Sequence, residues 1–210
     1  DITVQPNNPT RLRVLVPGEE PLPGSTVGKT GTAQEQTAGN SFNITVDLVD
    51  NYWNLVSSNP IVSVTTTDPY DTHPLDAQLV NGTRDFSITL VRASTATIKV
   101  EDVDGVFAST TSAVITTNPN IATKLQVILP GETYDPGNYT QEGKVNTPDN
   151  QVAGSTFTVT VNAVDDWWNR NNGATPVVTL YTDDPYADPI PSQSLVGGTR
   201  DIDIVLKTAG

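Results

Sequence analysis

Phe42, Ile44, Val46 and Leu48 alternate with Asn43, Thr45 and Asp47 along FNITVDLV (42–49), and FTVTVNAV (157–164) repeats the pattern. A period of two puts one face of an extended strand against a core and the other in water. LRVLV (12–16), FSITL (86–90), TIKV (97–100) and AVITT (113–117) read the same way. No long series of apolar residues at helical spacing interrupts them, and Thr, Val and Ile, stiff at χ1, suit strands. PLPG, DPY, NGT and DVDG punctuate the runs as turns. The spacing predicts strands A at 12–16, B at 42–49, C at 62–66, D around 78–80, E at 86–90, F at 97–101 and G at 114–117. About seven short alternating strands describe an all-β, antiparallel immunoglobulin-like sandwich.

The pattern occurs twice. TRLRVLVPGE from Thr10 matches TKLQVILPGE from Thr123, an offset of 113, and AGNSFNITVDLVDNYWN from Ala38 matches AGSTFTVTVNAVDDWWN from Ala153, an offset of 115. GTRDFSITL from Gly82 matches GTRDIDIVL from Gly198, an offset of 116. Such a period means tandem domains, here 10–122 and 123–210. The second copy runs level with the first only as far as Ser94, so it has no counterpart of strands F and G. DITVQPNNPT aligns with VITTNPNIAT, which places Ile2 opposite Ile115. Residues 1–9 therefore read as the terminal strand of a preceding repeat or as a donor strand, with Ile2 and Val4 as the strand-sharing residues. Two arrangements satisfy this reading: a slice of a longer array, or subunits joined head to tail.

The Thr/Val-rich period, the opening TKLQVILPGE and the phrase VD-x-x-x-N at 49–54 and 164–169 resemble bacterial immunoglobulin-like (Big-type) repeats of large extracellular and cell-surface proteins. The resemblance implies stacked sandwich domains that serve as stalks, spacers and fibre segments, with neighbouring copies of the same repeat as partners.

A formal net charge of −13 disfavours nucleic acid and anionic membrane as partners. No stretch approaches the ~20 apolar residues of a membrane span. The chain has no cysteine and one histidine, His73, set in a Pro/Asp-rich loop. That removes thiol, zinc and triad chemistry, and the acidic pairs Asp165–Asp166 and Asp183–Asp184 fall in turn-like stretches. The reading is non-enzymatic, with no cofactor other than a possible structural Ca²⁺.

The doubled phrase sits at the B–C turn, where Asp and Asn bond their own backbone. If the backbone there is extended, adjacent aromatics point apart, so Trp53 and Trp168 seal the core while Tyr52 and Trp167 face outward. An exposed ring of this kind could stack on surface glycans, which keeps an adhesin or carbohydrate-binding module open as the alternative. Turns gathered at one end of a sandwich would bring Asp50, Asp85, Asp102 and Asp104 together, and Asp165 with Asp201, as candidate calcium ligands. Arg84 and Arg200 of the repeated GTRD are expected to neutralise a nearby carboxylate. Lys29 and Lys144 recur in long loops, a poor setting for a lysine–asparagine cross-link. Asn43, Asn81 and Asn138 head N-x-[ST] sequons.

Overall fold

The computed structural model describes residues 1–209, in two compact units, Asp1–Asn118 and 119–209. Residues 1–9 carry no strand and group with the first unit rather than standing apart from it.

Unit 1 contains β1 (Arg11–Leu15), β2 (Glu19–Pro21), β3 (Lys29–Gly31), β4 (Gln36–Thr37), β5 (Ser41–Val49), β6 (Ile61–Thr66), β7 (Ala77–Gln78), β8 (Thr83–Thr89), β9 (Thr95–Ala96), β10 (Ile98–Asp102), β11 (Thr110–Thr111) and β12 (Ile115–Asn118). One sheet has the order β1-β5-β8 and its partner the order β11-β10-β6-β7. These are the A-B-E and G-F-C faces of an immunoglobulin-like sandwich. Alternating residues of both faces, among them Leu12, Ile44, Leu48, Ile88 and Ile98, bury almost completely between them, in one cluster with Ile115 of β12. Each such Leu or Ile contributes about 1.5–3 kcal/mol. The short strand expected as D pairs instead with β6, through Ile61↔Gln78 and Val62↔Ala77, and so extends the C face. A two-residue strand has too little pattern to reveal its sheet.

Strand G is split. β11 pairs β10, whereas β12 lies antiparallel to β9 and parallel to β4. The edge that begins in β1 is interrupted by the β2–β3 hairpin and resumes in β4. The stretch 17–38, expected as a long loop, thus holds a folded hairpin. Its base carries a Lys29–Glu19 ion pair of 2.8 Å.

Unit 2 repeats the plan with β13 (Lys124–Ile128), β14 (Thr133–Tyr134), β15 (Lys144–Val145), β16 (Thr156–Val164), β17 (Val177–Val178), β18 (Gln193–Ser194) and β19 (Thr199–Val205). The sheet β13-β16-β19 matches β1-β5-β8, and the β14–β15 hairpin matches β2–β3. The facing layer is only the pair β17–β18, since no equivalent of β9 to β12 exists among the described residues. The core records the difference. Leu12 is 1% exposed, under a backbone bond from its own N–H to Ala108, while the equivalent Leu125 is 53% exposed.

A buried polar pair under each hairpin shows how the two units solve one packing problem with different chemistry. In unit 1 the Arg13 guanidinium donates to Asp47 at 2.7 Å and to the Gly28 carbonyl at 2.8 Å, and Thr83 donates to Asp47 at 2.6 Å. In unit 2 Gln126 stands for Arg13 and Asn162 for Asp47. Gln126 donates to the Glu142 and Gly143 carbonyls, Asn162 donates to Gln126 at 3.1 Å, and Thr199 donates to Asn162 at 2.7 Å. The wiring is the same without the charge. Removing one member of a buried ion pair strands the other, which costs about 3–5 kcal/mol. Arg13→Gln or Asp47→Asn alone should therefore destabilise unit 1 strongly, whereas the double substitution recreates the neutral pair. Urea unfolding of the native chain and the three variants should show the double variant well above the sum of the singles; simple additivity would refute the shared wiring.

Candidate functional site

At the end of β5 and of β16 the chain reaches an aspartate that both units bury, Asp50 at 1% and Asp165 at 0% exposure. A carboxylate taken out of water must be met by donors. Asp50 Oδ1 accepts from the N–H groups of Tyr52 at 2.8 Å and Asn54 at 3.0 Å, and the Asn54 side-chain amide donates to both oxygens. Its Oδ2 accepts from the N–H of Asn7 at 2.8 Å. Asp165 repeats this set with Trp167 and Asn169, and its Oδ2 accepts from Asn120 N–H at 2.8 Å.

The segment entering each unit is held further. Asn8 N–H bonds the Asn7 side chain as Ile121 N–H bonds that of Asn120. The N–H of Thr10 donates to the Val49 carbonyl and that of Thr123 to the Val164 carbonyl. Each unit therefore carries a seat for the segment that leads into it, and the seat is the repeated phrase. Burial alone would push the Asp50 carboxyl up. The Asn7 N–H, the Asn54 side chain and the N–H groups of Asn54 and Tyr52 outweigh it and hold its pKa at about 2.

The aromatics depart from expectation. Trp53 and Trp168 sit at φ +66° and +65°, left-handed backbone rather than extended, so neighbouring rings do not simply alternate. Both indoles are half-buried beneath the hairpins instead of sealing the core. A Cβ added to Gly28 would lie 2.1 Å from the Trp53 ring, and one added to Gly143 would lie 2.4 Å from Trp168 Cβ, so only glycine permits the contact. The Arg11 guanidinium lies 4.9 Å from the Trp53 ring centre and the Lys124 ammonium 4.6 Å from that of Trp168. Tyr52 is 63% exposed, as expected. Trp167 is only half-exposed, because Tyr139 meets it edge-on at 5.3 Å. Tyr139 comes from a 3-10 turn, Tyr139–Gln141, in the hairpin loop where the repeat offset grows from 113 to 115.

The other carboxylates are used singly. Asp85 and Asp201 lie on the outer faces of β8 and β19, where they accept from the Thr45 and Thr160 hydroxyls at 2.7 Å. Strand E begins at Thr83, ahead of the predicted Phe86, and that carries both aspartates away from the turn. Asp102 Oδ2 accepts from Val106 and Phe107 N–H within its own turn, and Asp104 is exposed. No group of three or more Asp, Glu, His or Cys residues able to hold a metal ion exists among the described residues. Asp50, Asp85, Asp102 and Asp104 form no such group among the described residues.

Two carboxylates outside the expected set prove more consequential. Asp68 Oδ2 accepts from Val91 and Arg92 N–H, and Asp184 Oδ2 from Lys207 and Thr208 N–H, so each fixes the exit of its E strand. The Thr208 and Lys207 N–H groups hold the Asp184 carboxyl well below its ordinary range. Arg84 donates to the Gln78 carbonyl and Arg200 to the Gln193 side chain, which ties strand E to the short strand of the facing layer rather than to a carboxylate. Lys29 and Lys144 pair with Glu19 and Glu132. His73 bonds Asp71 on an exposed loop. Of the sequon asparagines, Asn43 and Asn81 are exposed and Asn138 is buried against Asp135.

No family model and no curated protein matches the chain. Among solved structures it is similar to the Escherichia coli adhesin FdeC, with 12% identity and a TM-score of 0.42 over 96% of this chain and 57% of that one. It is also similar to domains 5-6 of the S-layer protein SbsC, with 14% identity and a TM-score of 0.32 over 82% and 79% of the two chains. The chain thus spans little more than half of the adhesin structure. At these values no residue role transfers.

Asp50 is held below its ordinary value of 3.8, so folding favours its ionised form. The stability it contributes is full above about pH 4 and is lost as pH falls towards about 2. Thermal unfolding across that window should fall more steeply for the native chain than for Asp50→Asn; parallel curves would remove Asp50 as the acid-sensitive group. The melting midpoint should be the same in calcium and in excess chelator, and a calcium-dependent rise would restore the ion.

Proposed function

We propose that this chain is a non-enzymatic structural repeat of an extracellular fibre or cell-surface stalk, in which immunoglobulin-like domains follow one another in series. The supporting observation is the pair of seats: Asn7 on Asp50 and Asn120 on Asp165 use the same bond at the same length. A module that grips the segment entering it is suited to serial joining, because it shortens the free linker. The open layer of unit 2 fits the same reading, with strands shared between neighbouring copies. Tyr52, exposed on the B–C turn, supports a second reading as an adhesin or carbohydrate-binding surface. Loss of glycan binding on Tyr52→Ala with the fold intact would favour it.

Asp165→Asn tests the stalk reading. The side-chain oxygen retained at the Oδ1 position can still accept from Trp167 and Asn169, while the amide placed at the Oδ2 position faces the Asn120 N–H and loses that bond. The two units should then reorient more independently, read as divergent rotational correlation times in NMR relaxation. Unchanged coupling would reject the seat as the stiffening element.

A further inference from the structure

We propose that unit 1 binds a 4-alkylphenol ring in the cavity between its β2–β3 hairpin and the outer face of β1 and β5, with the Leu55 N–H and the Trp53 carbonyl on the phenol hydroxyl. The site is separate from the seat at Asp50 and does not rest on the serial-repeat reading. Its ligand is read from unit 2, which supplies such a ring from its own chain.

In unit 2 the ring is Tyr134 of β14. Its hydroxyl donates to the Trp168 carbonyl at 3.2 Å and accepts from the Arg170 N–H at 2.7 Å. The backbone around Arg170 makes that N–H available. Asp165 N–H donates to the Asn169 carbonyl and Asn171 N–H to the Ala163 carbonyl, so Arg170, bridged to Val164, turns its own N–H away from β16. Unit 1 builds the same frame. Asp50 N–H donates to the Asn54 carbonyl and Val56 N–H to the Leu48 carbonyl, with Leu55 bridged to Val49. The Leu55 N–H, turned outward in the same way, meets no acceptor among the described residues. The Trp53 carbonyl takes one long bond, 3.3 Å from Arg13, and a carbonyl oxygen has two lone pairs.

The ring itself is what differs. Pro21 of β2 stands opposite Lys29, as Tyr134 of β14 stands opposite Lys144, and proline carries no hydroxyl. Beside Pro21 lies a cavity of about 610 Å³, lined by Leu15, Pro17, Pro21, Pro23, Trp53 and Leu55, among others. That volume is in the range of small-ligand sites. Apolar walls of this kind suit the faces of an aromatic ring, and two convergent backbone groups fix where its hydroxyl must point. A saccharide would bring several hydroxyls to a wall whose charged pair, Arg13 and Asp47, is already engaged with itself, with Gly28 and with Thr83. A phenol brings one, and the frame holds one donor and one acceptor for it.

Amide NMR titration of the full chain with p-cresol or N-acetyl-tyrosinamide should shift the Leu55 resonance to saturation and leave that of Arg170 in place. N-acetyl-phenylalaninamide, which has no hydroxyl, should bind about fivefold more weakly than its tyrosine analogue, the worth of one net hydrogen bond. N-acetyl-tyrosinamide binding more tightly than p-cresol would assign the ring to a tyrosine of another polypeptide. Binding of p-cresol as tightly or more tightly would assign it to a free phenolic compound. Pro21→Tyr should supply the ring from within and weaken both probes by at least about tenfold, whereas Pro21→Ala should leave them bound. No saturable shift at Leu55 in the native chain would overturn the proposal. So would equal binding of the phenylalanine probe, stronger binding of methyl glucoside, or binding indifferent to Pro21→Tyr.

Discussion

A carboxylate buried at the end of the second long strand is the constraint from which each unit's upper end follows. Desolvation makes such a group intolerable unless donors surround it. The donors here come from three directions: the turn that follows, the asparagine four residues on, and the segment that enters the domain. Satisfying all of them fixes the turn so tightly that the intervening tryptophan adopts left-handed backbone, a conformation few large residues hold. The tryptophan then lies beneath the hairpin, and the hairpin must present a glycine to it. One electrostatic requirement thereby orders the turn, the indole, the hairpin and the linker.

Comparison of the two units within one chain separates what that arrangement needs from what it merely uses. The Arg13–Asp47 ion pair becomes Gln126–Asn162, while the threonine donor and the carbonyl acceptors beneath the hairpin stay in place. Charge is dispensable there, and complementary donors and acceptors are not. At Asp50 and Asp165 the residue itself is retained. An amide offers one acceptor oxygen, and this position must serve both the turn and the linker at once. The outer aromatic is looser still: tyrosine in water in one unit, tryptophan under an edge-on tyrosine in the other.

The long strands were legible because their apolar residues alternate, and β5 and β16 follow that alternation into the core. The hairpin was not. Its strands are three residues and two residues long, its bases are charged, and glycines and prolines around it read as loop. The depth of Trp53 and Trp168 does not follow from alternation, because the backbone there is left-handed rather than extended, and the adjacent aspartate and asparagine are the residues that signal a turn. Asp85 and Asp201 read as turn residues when strand E is counted from its first core residue. Its true start, a few residues earlier, carries an outward polar face. The linker bond was the hardest to foresee, since nothing in the sequence of Asn7 distinguishes its backbone N–H. The signal that existed was the repetition of asparagine, after proline, at the same distance ahead of both first strands.

The asymmetry between the units bears on how such a fold is completed. In unit 1 Leu12, Val64 and Leu90 are buried, while in unit 2 Leu125, Leu180 and Leu206 are left half-exposed or exposed. Each large apolar side chain brought out of water is worth about 1.5–3 kcal/mol, so the uncovered face holds a substantial share of a domain's marginal stability. The unit is nonetheless ordered up to that face. Asp184 fixes the exit of strand E, and Gly154 fixes the edge beside it, with the same bonds that Asp68 and Gly39 make in unit 1. Those two contacts lie at the rim of the missing layer and do not depend on it. They hold the exit of strand E and the edge beside it in the same positions in both units.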